Sequence, residues 1–241
     1  MDFASPEFWV AVLQIIAIDI VLGGDNAVVI ALACRHLPEK QRNLGIFWGV
    51  FGAIALRTIL VFFALNLLAI PFLKIFAALL LVWIGTNLLQ PEPDHNGHAI
   101  AANTTLLGAI RTIIIADAVM SLDNVVAIAG AANDSISLVV IGLIISVPII
   151  VWGSKIVMKL MDRFPIIVIV GAGLLGWIAG GMTVTDAASK DWVNANAIFL
   201  HWLAPICGAF LVIVAGKWLA AKARAKIPGM VDLADDVDKP L

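Results

Sequence analysis

Apolar and polar positions alternate along this chain on the scale of whole segments. Seven mainly apolar runs, roughly 8–33, 44–69, 71–90, 105–131, 137–159, 165–183 and 196–219, are separated by short polar breaks such as 35–43 and 183–194. A helix needs about 20 such residues to cross the hydrocarbon layer of a bilayer, so the pattern predicts seven transmembrane helices. Pro71 and Pro165 open the third and sixth runs, where a missing N–H costs least. The one sizeable mid-chain break, 91–104, holds Pro91, Glu92, Pro93, Asp94, His95 and His98 and reads as a linker between two halves. The first run is too long for the core of a secretory signal, and no Lys or Arg precedes it, so it is expected to stay as a membrane helix.

Composition moves the picture in the same direction. Hydrophobic residues are 62% of the 241 and charged residues 13%, against about 45–50% and 25% in ordinary soluble domains; mean hydropathy is +1.04. So short a chain cannot hide that much apolar surface from water. A soluble enzyme, a disordered chain and a nucleic-acid binder are therefore disfavoured together. The placement of Lys and Arg predicts orientation. Arg35, Lys40 and Arg42 flank the first break, Lys155, Lys159 and Arg163 the end of the fifth run, and Lys217, Lys222, Arg224 and Lys226 follow the last. Seven spans put all three clusters on one side, giving an outside N-terminus and a cytosolic C-terminus in a cell membrane. Cys34 and Cys207 fall in or beside apolar runs and are expected as buried packing residues rather than as a disulfide framework.

Self-comparison finds an internal repeat. Asp19-Ile-Val-Leu-Gly-Gly-Asp25-Asn26 aligns with Asp117-Ala-Val-Met-Ser-Leu-Asp123-Asn124 at a shift of 98 residues. The same shift sets Arg57 opposite Lys155. With a four-residue slip, Pro71, Trp83 and Ile84 meet Pro165, Trp177 and Ile178. Three helices are an odd number, so the second copy would enter the bilayer from the opposite side, a recurrent transporter plan with its site near the midplane. The expected fold class is thus an all-α integral membrane protein. Its parts are a first three-helix repeat (1–90), a cytosolic linker (91–104), an inverted second repeat (105–183), a seventh helix (184–220) and a cytosolic tail (221–241).

The best-matched residues are also the costliest in lipid. By insertion scales an aspartate at mid-membrane costs roughly 2.5–3.5 kcal/mol, and Asp19, Asp25, Asp117 and Asp123 all lie inside predicted spans. Asp19 and Asn26, seven apart, share a helix face, as do Asp117 and Asn124. Asp25 lies about 9 Å along the axis from Asp19 and well round the helix. Gly23-Gly24 lowers the cost of a kink that would swing Asp25 inward. The second copy has Ser121-Leu122 there, so its distortion is less assured. Four carboxylates and two amide oxygens are hard donors suited to Mg, Ca or Mn, whereas zinc and copper favour His or Cys. The bland alternative is carboxylates held neutral, or paired with Arg57 to tie helices together. Arg57 is expected to pair with one aspartate and to take it over when an ion leaves; Lys155 is expected to snorkel. His95 and His98 read as plain linker and His201, beside Trp202, as an interfacial residue. Gly45, Gly49, Gly52, Gly171, Gly173, Gly176 and Gly180 read as close helix packing; Ser146 and Pro148 are candidates for a kink or for packing.

The duplicated Asp-x-Val-x-x-x-Asp-Asn, with its layout of three helices, three helices and one, resembles the TerC family, in particular its YjbE-like branch, over roughly residues 8–220. That resemblance implies manganese efflux within the broader LysE-type transporter group. It maps the metal ligands onto Asp19, Asp25, Asn26, Asp117, Asp123 and Asn124. Chemistry alone reaches a divalent cation, with Ca²⁺ and Mg²⁺ fitting the same donors; manganese comes from the resemblance. The expectation is a secondary transporter working by alternating access, not an enzyme, with no cofactor besides the transported ion and with the bilayer as its surroundings. One alternative is a membrane partner that supplies metal to exported enzymes. Another, an intramembrane aspartyl protease, is disfavoured because the chain has no tyrosine and Leu22-Gly23-Gly24-Asp25 lacks the first glycine of the Gly-x-Gly-Asp motif that this enzyme type resembles.

Overall fold

The computed structural model describes residues 6–22, 24–90, 105–132 and 136–225. Gly23, the linker with His95 and His98, the tail from residue 226 and the side chain of Asp123 lie outside the described residues. Among the described residues every regular element is a helix: α1 (Pro6–Leu22), α2 (Gly24–Cys34), α3 (Glu39–Phe62), α4 (Ala64–Leu68), α5 (Leu73–Leu88), α6 (Leu106–Ala132), α7 (Ile136–Arg163), α8 (Ile166–Thr185), α9 (Lys190–Asn196) and α10 (Leu200–Ala225).

Each apolar run has become helix, with boundaries moved for local reasons. α3 starts five residues before its apolar run because Pro38 leads into it and Glu39 sits in its first turn, a favourable place for an acid beside the helix dipole. α9 is a short helix inside what reads in sequence as a polar break; it hides Val193. Four helical stretches are long and apolar enough to cross a membrane: α3, Leu138–Arg163 of α7, α8, and Leu200–Ala223 of α10. α1 and α2, inclined by 49°, make a fifth when taken as one span. α5 is apolar but has 16 residues, about 24 Å at 1.5 Å per residue. α6 has 27 residues and carries Arg111, Asp117 and Asp123 along its length. Phe47, Trp152, Trp202 and Phe210 are among many large apolar side chains left exposed. Lipid, not water, solvates such a surface, and the protein is a multi-pass membrane protein.

The two copies of the motif differ in shape: the first spans α1 and α2, inclined by 49°, whereas α6 runs unbroken through Ser121 and Leu122. Packing divides the helices into two groups. In one, α3 and α6 run side by side in the same direction, with Gly49 against Ile113 and Gly52 against Ile114. α7 likewise follows α1 and α2, with Gly142 against Ile15 and Gly153 near Ala27.

In the other group α8 packs tightly on α10 and α5. A Cβ at Gly176 or Gly180 would run into the carbonyl oxygens of Gly208 and Ala204, so these two backbones meet only because glycine is there. α5 and α8 run in opposite directions, with Gly85 beside Leu175 and the carbonyl of Ala172. At their far end, the Asp186 carboxylate accepts backbone N–H bonds from Phe72 (2.8 Å), Lys74 (2.9 Å) and Ala188 (2.8 Å). Phe72 has φ = 67°, the one non-glycine left-handed residue among those described, and Asp186 holds it there. Burial alone would raise the Asp186 carboxyl. The N–H groups of Ala188, Phe72, Lys74 and Ile75 outweigh it and hold the group below the usual carboxylate value.

Cys34 is buried as expected, but Cys207 is exposed, because its side of α10 faces away from α8; it is not a packing residue. His201 Nε2 lies 2.8 Å from Asn194 Oδ1, fixing α9 against α10. Lys155 is exposed.

Candidate intramembrane cation site

Three helices from the two halves bring charge together in the interior. Asp19 stands near the C-terminal end of α1, Arg57 in the last third of α3 and Asp117 in the middle of α6. All are buried, with 2%, 3% and 7% of their surface exposed. The parallel register of α3 and α6, imposed by Gly49 and Gly52 on Ile113 and Ile114, carries Arg57 to the level of Asp117 and Ser121. The shared direction of α1 and α7 brings Ser146 to Asp19.

The contacts form a closed set. Arg57 Nη1 pairs with Asp19 Oδ1, and Arg57 Nη2 with Asp117 Oδ1. Arg57 Nε donates to Ser121 Oγ at 2.9 Å. Ser121 Oγ donates in turn to Asp117 Oδ2 at 3.2 Å, and Ser146 Oγ donates to Asp19 Oδ2. Each carboxylate therefore has one oxygen on the guanidinium and the other on a serine hydroxyl. Arginine suits this because its planar fork serves two acceptors at fixed geometry. Desolvating the ions is expensive, and the serines supply the extra hydrogen bonds that such burial demands.

Beside this set lies a cavity of about 20 Å³, room for one water-sized species. Asp19, Asn26, Arg57 and Asp117 line it, with apolar walls that include Val50 and Ile113. Asn26 is 4% exposed, yet neither its Oδ1 nor its Nδ2 has a hydrogen-bond partner. An unsatisfied buried amide costs about 1–3 kcal/mol. Here it lines a small, mainly apolar-walled cavity of ionic size between two carboxylates, which is where a ligand would satisfy it.

Of the six residues expected as ligands, the structure brings Asp19, Asn26 and Asp117 to one cavity. Asp25 stands in the first turn of α2, half-buried, with Oδ1 unpartnered. It is outside the cavity lining but close enough to Arg57 to interact electrostatically. Asn124 is half-buried and makes its own contacts; it does not line the cavity. The Asp123 side chain lies outside the described residues. Among the described residues no group of three or more His, Cys, Asp or Glu is gathered as a metal cage. Among the described side chains, two of the four expected carboxylates, Asp19 and Asp117, are shared through one arginine. Arg57 holds both aspartates, where sequence reasoning gives it one. Ser146 enters as a partner of Asp19; its mid-span hydroxyl was the available signal. Nothing in the sequence pattern marks Asp186.

Comparison with known proteins follows the same lines. The profile of the "Integral membrane protein TerC family" matches residues 4–224. The uncharacterized membrane protein YjbE of Bacillus subtilis (strain 168) is 47% identical over 209 residues, covering 87% of this chain and 94% of that protein. A second protein of that bacterium, the uncharacterized membrane protein YceF, is 25% identical over 73% of this chain and 71% of its own length. The UPF0053 protein YegH of Escherichia coli (strain K12) is 26% identical over 69% of this chain but only 35% of its own. No solved structure matches. The chain belongs to the TerC family of integral membrane proteins.

Proposed function

We propose that this TerC-family membrane protein is a secondary transporter that exports divalent metal cations, Mn²⁺ first among them, by alternating access around the Asp19–Asp117 site. The observation that carries the reading is the unpartnered Asn26 amide facing an ion-sized cavity between two carboxylates. An ion pair that merely tied helices together would need neither the space nor the orphaned amide. The donors are oxygens, which favour Mn, Mg and Ca over softer metals. Charge arithmetic points to a divalent ion. The two carboxylates that line the cavity, Asp19 and Asp117, carry a formal −2 once Arg57 is displaced from them. One divalent cation cancels it.

The transport plan is seven spans in two inverted three-helix copies plus α10. Helix directions support it. α3 returns against α1, and α6 runs parallel with α3, so the second copy starts in the direction opposite to the first. α5 and α8 are then antiparallel third members. The site lies where the first two spans of each copy meet, as in other inverted-repeat transporters. In this reading the C-terminus is cytosolic and the membrane is the plasma membrane, which Arg35, Lys40, Arg42 and the basic residues at the ends of α7 and α10 support. Manganese as the preferred ion rests on the family resemblance.

The test is transport by purified protein in liposomes, with Mn²⁺, Mg²⁺ and Ca²⁺ in competition and with or without a pH gradient. Mn²⁺ flux that disappears in Asp19→Asn supports the reading. Absence of any cation flux under every gradient overturns it.

A further inference from the structure

We propose that Arg57 is a built-in substitute for the transported cation: it occupies the carboxylates of the empty carrier, must be displaced for the metal to bind, and by returning lets the unloaded protein change conformation. The proposal rests on the transport reading above. It starts from how the four carboxylate oxygens are divided. Asp19 Oδ2 and Asp117 Oδ2 are held by the neutral hydroxyls of Ser146 and Ser121. Asp19 Oδ1 and Asp117 Oδ1 are held by the guanidinium. A cation entering the cavity meets Asn26, which has no partner to give up, and then two oxygens that Arg57 already claims.

Sharing is electrostatically forbidden. A guanidinium and a divalent ion on the same two oxygens would repel strongly in a low-dielectric interior. Metal and Arg57 are therefore competitors, and each weakens the hold of the other by the same factor. Ser121 suits the exchange. It accepts from Arg57 but donates to Asp117, so it keeps the carboxylate in place after the arginine leaves.

The second half of the proposal follows from the empty state. Without metal and without Arg57, two carboxylates would face each other desolvated in the bundle, a state that buried charges avoid. Arg57 supplies a compact, paired empty carrier that can reorient. It should then matter for net transport, which needs the empty carrier to return, and much less for metal-for-metal exchange, which does not.

The experiment uses full-length protein and Mn²⁺ as the probe. Mn²⁺ affinity is measured in detergent, and both net efflux and exchange of labelled for unlabelled Mn²⁺ are measured in liposomes. Arg57→Gln is expected to bind Mn²⁺ roughly tenfold or more tightly and to retain exchange while net efflux collapses. Arg57→Lys, which keeps the charge without the fork, should shift both readouts in the same sense but less. Should neither variant fold, infrared difference spectra of wild-type protein with isotope-labelled arginine provide the reading, since Mn²⁺ must then shift a guanidinium C–N band. Weaker or unchanged Mn²⁺ binding in Arg57→Gln, equal loss of exchange and efflux, or an unmoved guanidinium band on Mn²⁺ binding overturns the substitute-cation role while leaving transport standing. Failure of the wild-type protein to bind or move any divalent cation overturns both.

Discussion

Arg57 donates its Nε–H to Ser121 Oγ at 2.9 Å, joining α3 to α6 across 64 positions of the chain. In the repeat, Ser121 stands where the first copy has Gly23. The residue that replaces this glycine in the second copy thus anchors the shared arginine. A similar asymmetry holds for Arg57 itself. Its counterpart Lys155 is exposed, so a single guanidinium serves the aspartates of both copies. The duplication brings matching acids together, and its departures from symmetry decide what holds them.

Replacing either aspartate should remove both transport and stability. Asp19→Asn or Asp117→Asn removes one of the two carboxylates that Arg57 holds, a loss of about 1.5–3 kcal/mol as for a hydrogen bond to a charged group, while the remaining carboxylate still balances the guanidinium. Thermal unfolding in detergent should fall, and Mn²⁺ flux in liposomes should be lost. A stable variant with wild-type flux sinks the assignment of that residue.

Asn26 should behave in the opposite way on stability. Asn26→Leu removes an amide with no partner, so unfolding should be unchanged or raised by up to about 1–3 kcal/mol. Mn²⁺ binding should weaken by at least about tenfold with the loss of one ligand oxygen, since removing a contact of about 1.4 kcal/mol is enough for that. Gained stability with lost binding is the pattern of a site kept for function. Lower stability with intact binding would make Asn26 a structural residue.

Asp186 gives a pH dependence whose sign can be stated. Its carboxyl is held below its ordinary value of 3.8, so the folded state prefers the ionised form. Its contribution is fully present above that value and is lost as pH falls through the lower folded value. Asp186→Asn should therefore be less stable than wild type at pH 7, by about 1 kcal/mol as for a lost helix cap, and the gap should close in acid. Parallel unfolding curves for the two proteins at all pH values would contradict this.

Neighbouring glycines of α8 should respond differently to the same methyl group. Gly180→Ala drives a Cβ into the carbonyl oxygen of Ala204, whereas a Cβ at Gly181 meets nothing within 4 Å. Overpacking against backbone should cost about 1–3 kcal/mol or more and loosen α10. Gly181→Ala should stabilise by up to about 1 kcal/mol through helix propensity. Unfolding temperatures of the two variants settle the comparison.

Residence in a membrane, the all-helical build from apolar segments, the duplicated aspartate motif and the bend between α1 and α2 were legible in the chain itself. Each depends on local composition or on direct self-comparison, and hydropathy acts on a segment whatever its neighbours are. Which polar groups actually meet was decided only by the tertiary structure. Asp19, Asn26 and Asp117 share a cavity, and Arg57 spans both halves. These outcomes depend on how far each helix is rotated and slid against the next. That register is set by contacts such as Gly49 on Ile113 and Gly142 on Ile15, between residues far apart in sequence. A small-residue stripe announces that helices pack closely; it does not say against what, or at which height a buried charge will find its partner.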